Sequence, residues 1–221
     1  MTEPLILEPV STADACVIWL HGLGANRYDF EPVGRLLQQR QPTIRFVFPQ
    51  APTKSVTVNG GLAMPSWYDI LAMRPTARDI SEPDIDAAAH SIRALIEAQV
   101  QAGIAKDRIV LAGFSQGGAV VLHTAYRSLP YAIGGAIALS TYGPTLNGDN
   151  PVTSACRQTP ALFAHGTKDN VVTLPFGRLA HDCLQSQGIP VTWHTFDMDH
   201  EVTLVEVDTI DVWLRERLAQ Q

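Results

Sequence analysis

The sequence predicts an α/β fold, a mostly parallel sheet with helices on both faces. Two observations carry the prediction. Short runs that are apolar at nearly every position recur along the chain, as strands buried on both faces require. Segments with helical spacing of apolar residues lie between them, so strand and helix alternate.

The runs cover residues 16–20, Ile44–Phe48, 108–112, 133–139, 161–164 and Val191–Phe196. The first reads Cys16, Val17, Ile18, Trp19, Leu20 and offers no polar side to water. After it, Phe30, Val33 and Leu37 share one helical face. Ile85, Ala89, Ile92 and Ile96 share another, behind a cap at Ser81 with Pro83 in the first turn. Val207, Ile210, Leu214 and Leu218 repeat at helical spacing near the end. Residues 51–81 break the rhythm: they have no clean period, and Gly and Pro are frequent. A long irregular segment in a compact domain commonly forms a lid or binding wall, so this one is expected to bind substrate.

The chain has 221 residues, a length that suits one domain. Its 46% hydrophobic and 17% charged residues are an ordinary globular mix, against disorder. A formal net charge of -6 without a Lys/Arg run gives no electrostatic reason to bind nucleic acid. No apolar run is long enough to span a bilayer, so stable membrane insertion is not expected. Residues 1–9 show no basic leader and no apolar stretch of signal-peptide type. Cys16, Cys156 and Cys183 are far apart and form no CxxC pair. They read as free thiols in a reducing cytoplasm, not as a zinc site. No H-E-x-x-H or similar ligand spacing occurs, and neither a metal nor a cofactor is expected.

In sheets of this kind, chemistry sits in the loops after the strands. The run 109–112 leads into Gly113-Phe114-Ser115-Gln116-Gly117, and the apolar residues 119–122 then begin a helix. G-x-S-x-G between a strand and a helix is a nucleophile elbow. The sharp turn strains the backbone at the serine, and side chains at the flanking positions would collide. By itself the pentapeptide also suits a turn without chemistry. Its place between a strand and a helix favours Ser115 as nucleophile of an α/β-hydrolase fold.

A serine hydroxyl needs a base. His90, His123, His181 and His194 fall within helix or strand patterns, and His21 and His165 each open an H-G turn. His200 follows the last strand and precedes the last helix, which puts it on a loop at the catalytic rim. The acid is expected between Ser and His in chain order. Asp169, after the run 161–164, takes that place, where it would hold the imidazole in its tautomer. Asp197 and Asp199 are rivals too close to His200 in sequence and are read as solvated. His21-Gly22-Leu23-Gly24 ends an early strand, where this fold supplies an oxyanion donor. The expected donors are the backbone N–H groups of Leu23 and Gln116.

With these motifs in order, the chain resembles the phospholipase/carboxylesterase family of bacterial carboxylesterases and acyl-protein thioesterases. The resemblance rests on H-G-L-G, P-Q-A-P at 49–52, S-W-Y-D at 66–69, G-F-S-Q-G-G, H-G-x-x-D and D-H-E at 199–201. It implies a triad of Ser115, Asp169 and His200, with Leu23 and Gln116 as donors. It also implies that the segment after P-Q-A-P forms part of the acyl pocket, here through Met64 and Trp67 first, with Leu62 and Leu71. Relatives often carry Gly two residues before the base, where this chain has Met198. The implied activity is hydrolysis of short- to medium-chain carboxylic esters through an acyl-serine. The alternatives are an acyl-protein thioesterase or a lysophospholipase and, more remotely, a non-catalytic binding protein on the same fold. The expected partner is a small ester or acyl thioester, and analogy with relatives adds a homodimer.

Overall fold

The computed structural model describes residues 2–74, 77–146 and 152–219. The chain opens with β1 (Leu5–Leu7), β2 (Ala15–Leu20), α1 (Glu31–Arg40) and β3 (Ile44–Phe48). Four short strands follow: β4 (Thr53–Val56), β5 (Leu62–Pro65), β6 (Ile70–Arg74) and β7 (Ala77–Ile80). Then come α2 (Glu82–Gln101), β8 (Ile109–Phe114), α3 (Gln116–His123), β9 (Gly135–Leu139) and β10 (Ala161–Gly166). The chain closes with α4 (Leu174–Ser186), β11 (Val191–Phe196) and α5 (Leu204–Leu218).

Seven strands form one sheet in the order β1-β3-β2-β8-β9-β10-β11. Only β1 runs antiparallel to its neighbour. Side-chain alternation along β2 shows why these runs read as apolar throughout. Cys16, Ile18 and Leu20 enter one core with α2, α3 and α4. Ala15, Val17 and Trp19 enter the other, with α1 and α5. The predicted helical faces of Ile85, Ala89, Ile92 and Ile96, and of Val207, Ile210, Leu214 and Leu218, are all buried. Ser81 stands at the start of α2, with Pro83 in its first turn.

Four local expectations change. The run at 133–139 becomes strand only from Gly135, and the run at 161–164 extends through His165 to Gly166. β11 is an edge strand, not one buried on both faces: Thr192 and His194 are exposed. Residues 51–81 hold two antiparallel hairpins, β4–β5 and β6–β7, where the sequence suggested an irregular segment. Neither hairpin joins the main sheet, so β4 and β5 bury little and lack the apolar alternation that marks a strand.

Among the described residues, no helix is long and apolar enough to cross a membrane. One buried charge site stands out on α5. Glu206 is fully buried, neither carboxylate oxygen has a hydrogen-bond partner among the described residues, and burial pushes its pKa up to about 8. The folded chain therefore keeps the carboxyl protonated while the unfolded chain ionises it. The stability this group contributes is present below its ordinary value of about 4.5 and is lost as pH rises towards 8. The loss is at most ~5 kcal/mol. Wild-type Tm is expected to fall between pH 5 and 8 more steeply than that of Glu206→Gln in parallel thermal melts. Parallel curves would show that Glu206 does not titrate in this window.

Candidate active site

The parallel strands bring four loops to one edge of the sheet. β8 ends at Phe114, and Ser115 follows with φ 53° and ψ -120° before α3 begins. A positive φ at a non-glycine residue is strained, and here it lifts the hydroxyl clear of the sheet. Gly117 shows why a glycine is needed beside it. A Cβ there would lie 2.5 Å from the His21 carbonyl oxygen at the end of β2. The Ser115 N–H donates to Leu139 O at 2.9 Å, and Thr141 Oγ1 donates to Ser115 O at 2.6 Å. Both bonds hold the turn from the neighbouring strand.

β10 and β11 pair in register, Gly166 opposite Phe196, so Asp169 and His200 emerge side by side. Gly166 lets the two loops touch: a Cβ there would collide with the carbonyl oxygens of Met198 and Asp199. Met198, which stands where relatives often have Gly, is buried, and its carbonyl accepts the Lys168 N–H at 3.1 Å. The loop around the base is thus fixed by its backbone and by a buried thioether.

His200 Nε2 lies 2.9 Å from Ser115 Oγ, and His200 Nδ1 lies 2.7 Å from Asp169 Oδ2. The other carboxylate oxygen of Asp169 accepts from the N–H groups of Val171 and Val172 at 2.9 and 2.8 Å. Burial pushes the Asp169 pKa up. The hydrogen bond from His200 and the Val172 N–H outweigh this and hold the carboxyl below its usual range. A charged carboxylate fixes the proton on Nδ1, which leaves Nε2 as an acceptor for the serine proton. Asp197 pairs with Lys168 at 2.7 Å on the surface, and Asp199 makes no hydrogen bond to His200. Neither competes with Asp169.

Leu23 and Gln116 both line the cavity that contains Ser115 and His200. Gln116 opens α3, so its N–H has no acceptor within the helix. The Leu23 N–H has no acceptor among the described residues, and the next N–H, that of Gly24, is tied to Pro65 O at 2.9 Å. Two free N–H groups beside the nucleophile can stabilise a developing oxyanion.

The cavity holds about 250 Å³, and its apolar wall includes Ile70, Met73, Phe114, Tyr142 and Val172. The four side chains expected to line the acyl groove stand off this lining. Trp67 is buried, and its Nε1 donates to His21 O at 2.8 Å, so it braces the early loop. Leu62 and Leu71 are 63% and 47% exposed. Met64 lies on the outer hairpin, its sulfur 3.4 Å from Asn59 Nδ2. Ile70 and Met73, from the same segment, line the cavity instead. A register irregularity in β6 between Ile70 and Ala72 breaks strict alternation there, and no sequence pattern announces it.

Sequence reasoning also missed the braces of the site. The buried Gln116 side chain accepts from the Trp67 N–H at 2.9 Å and donates to Tyr68 O at 2.8 Å. It thereby clamps the S-W-Y-D segment to the elbow. His21 Nε2 accepts the Ala51 N–H at 3.2 Å while Nδ1 donates to Gly22 O at 2.7 Å. Burial lowers the His21 pKa and favours this neutral form. His165 Nε2 donates to Val172 O at 2.7 Å and lies 3.6 Å from Asp169 Oδ2, supporting the loop that carries the acid. Burial keeps it neutral as well. The Phe114 ring packs 4.6 Å from the His200 ring. The H-G pairs in the sequence marked His21 and His165 as turn residues, and nothing more about their bonding was legible. Among the described residues, no group of three or more His, Cys, Asp or Glu could hold a metal ion.

Comparison with known proteins places this geometry among hydrolases. The family described as Phospholipase/Carboxylesterase matches residues 1–217. Acyl-protein thioesterase 1 of Neurospora crassa is 34% identical, over 97% of this chain and 91% of its own. Acyl-protein thioesterase 1 homolog 1 of Dictyostelium discoideum is 36% identical, over 96% and 95%. Among solved structures, SOBER1 of Arabidopsis thaliana superposes with a TM-score of 0.86 at 27% identity, covering 92% of this chain and 99% of that one.

Proposed function

Because this chain belongs to the phospholipase/carboxylesterase family, we propose that it is a serine hydrolase that cleaves acyl thioesters in preference to carboxylic esters. One observation carries the reaction type: the hydrogen-bonded line from Asp169 through His200 to Ser115, at 2.7 and 2.9 Å. His200 Nε2 takes the Ser115 proton as Oγ attacks the acyl carbon. The negative charge that forms on the carbonyl oxygen is met by the N–H groups of Leu23 and Gln116. The bond from carbon to sulfur or oxygen then breaks, and the imidazolium returns its proton to the departing thiol or alcohol. Water, deprotonated by the same imidazole, releases the acid from the acyl-serine.

The triad serves esters and thioesters alike, since both pass through the same oxyanion. The order of preference is supported by the relatives, which carry the name acyl-protein thioesterase at 34 and 36% identity. They put the thioesterase reading ahead of the carboxylesterase reading that the motifs favoured. We place this activity in the cytoplasm, in keeping with the free thiols Cys16, Cys156 and Cys183. The test is kcat/KM on octanoyl esters and thioesters with matched leaving groups. Higher values on the thioester are expected. Parity, or preference for the ester, would return the assignment to carboxylesterase.

A further inference from the structure

The catalytic cavity contains one cation that the hydrolytic mechanism does not use. Arg78, on β7, lines the same space as Ser115 and His200. Its guanidinium lies over two rings, 5.1 Å from the centre of Phe176 and 5.7 Å from that of Tyr142. Those rings stack on each other at 4.9 Å, so they form a continuous aromatic floor. Nη2 donates to Val171 O at 2.9 Å, in the loop that carries Asp169, and Nη1 donates to Arg74 O at 3.4 Å. A planar cation held on one face and at both terminal nitrogens is oriented before any ligand arrives, and Nε and the second hydrogens of Nη1 and Nη2 are left to donate.

Its charge is not neutralised within the described residues. Arg45, Lys54, Arg74 and Arg108 each pair with a carboxylate at 3.0 Å or less. Among the described residues, Arg78 has no carboxylate within ion-pair distance, in a chain with 22 acidic and 16 basic residues. Asp29 shares the lining of the cavity but makes no ion pair with it. An oriented, uncompensated guanidinium in a largely apolar cleft attracts an anion more strongly than one in open water.

We propose that Arg78 is a specificity-determining residue that selects substrates carrying a negative group, a carboxylate or a phosphate, on the acyl chain or on the leaving group. The proposal rests on the hydrolase reading and adds a substrate class to it. The guanidinium would take the anion through the N–H groups that the protein leaves unbound, while Ser115 attacks the acyl carbon in the same cavity.

Two matched substrate pairs test this on the full chain. In the first, the charge is on the acyl side: mono-p-nitrophenyl adipate against p-nitrophenyl methyl adipate. In the second it is on the leaving group: the S-butyryl thioester of 3-mercaptopropionate against that of its amide. The wild type is expected to favour the charged member of one pair by about tenfold or more in kcat/KM, chiefly through KM. The responding pair identifies where the substrate carries its charge. Arg78→Gln is expected to bring that ratio to about one or below, and Arg78→Lys to keep part of it. If the ratio survives in Arg78→Gln, Arg78 is only a strut between β7 and the Val171 carbonyl, and the proposal is overturned. Cleavage of the neutral members with no preference for the charged ones also overturns it, and leaves the hydrolase reading intact. A chain that cleaves neither pair and whose Ser115 is not labelled by a fluorophosphonate removes both.

Discussion

Replacing Ser115 with Ala is expected to abolish fluorophosphonate labelling and to lower kcat/KM by about four orders of magnitude or more. The Oγ removed is the atom 2.9 Å from His200 Nε2, and among the described residues no other hydroxyl hydrogen-bonds to that nitrogen. The fold should survive. Alanine meets the same strain at φ 53° that serine does, and the bonds Ser115 N to Leu139 O and Thr141 Oγ1 to Ser115 O involve only its backbone. Intact-mass labelling and a thermal melt on one sample check both halves. Near wild-type turnover, with a different serine labelled, would remove Ser115 from the mechanism.

The second large effect is expected at Asp169. Asp169→Asn should lower kcat by about 10⁴-fold and leave substrate binding much less changed. The direction follows from the bonding around the side chain. Its Oδ1 accepts from two backbone N–H groups, at 2.9 and 2.8 Å, so an asparagine must place its carbonyl there. The amide NH₂ is then forced to face His200 Nδ1, 2.7 Å from the present Oδ2. A donor at that place makes Nδ1 an acceptor and moves the proton to Nε2, where it can no longer accept the serine proton. The stabilisation tied to this carboxylate also disappears. Its pKa is depressed in the folded chain, so in the wild type that contribution is present above the ordinary carboxylate value and is lost as pH falls through the depressed one. The wild type should therefore lose more stability than the variant on acidification. Asp199→Asn is the control and is expected to change kcat little. If it were the crippling change and Asp169→Asn nearly silent, the acid of the triad would be misassigned.

The parts of this protein governed by local rules can be read from its residues alone. Strands of a parallel sheet must be apolar on both sides, so residues 16–20 and Ile44–Phe48 were legible as strands without partners. The elbow was legible because a strand that turns at once into a helix tolerates only glycine at Gly113 and Gly117. Asp169 and His200 were legible because their loops follow strands, and Asp199 was set aside because it stands next to His200 in the sequence. Where the chain leaves the main sheet, these rules stop. The hairpins β4–β5 and β6–β7 are held by contacts to distant elements, among them Gln116 to Trp67 and Tyr68, and Arg78 to Val171. Such contacts leave no periodic trace in the sequence. Trp67 therefore looked like a wall of the acyl groove and proved to be a brace beneath it. Which of Ile70, Leu71 and Met73 face the cavity was decided by a register irregularity in β6, and the position of Arg78 in the cavity wall by the docking of β7 against Tyr142 and Phe176. Local chemistry marks where a strand ends and a nucleophile stands. The shape and charge of the space above it come from segments that meet only in three dimensions.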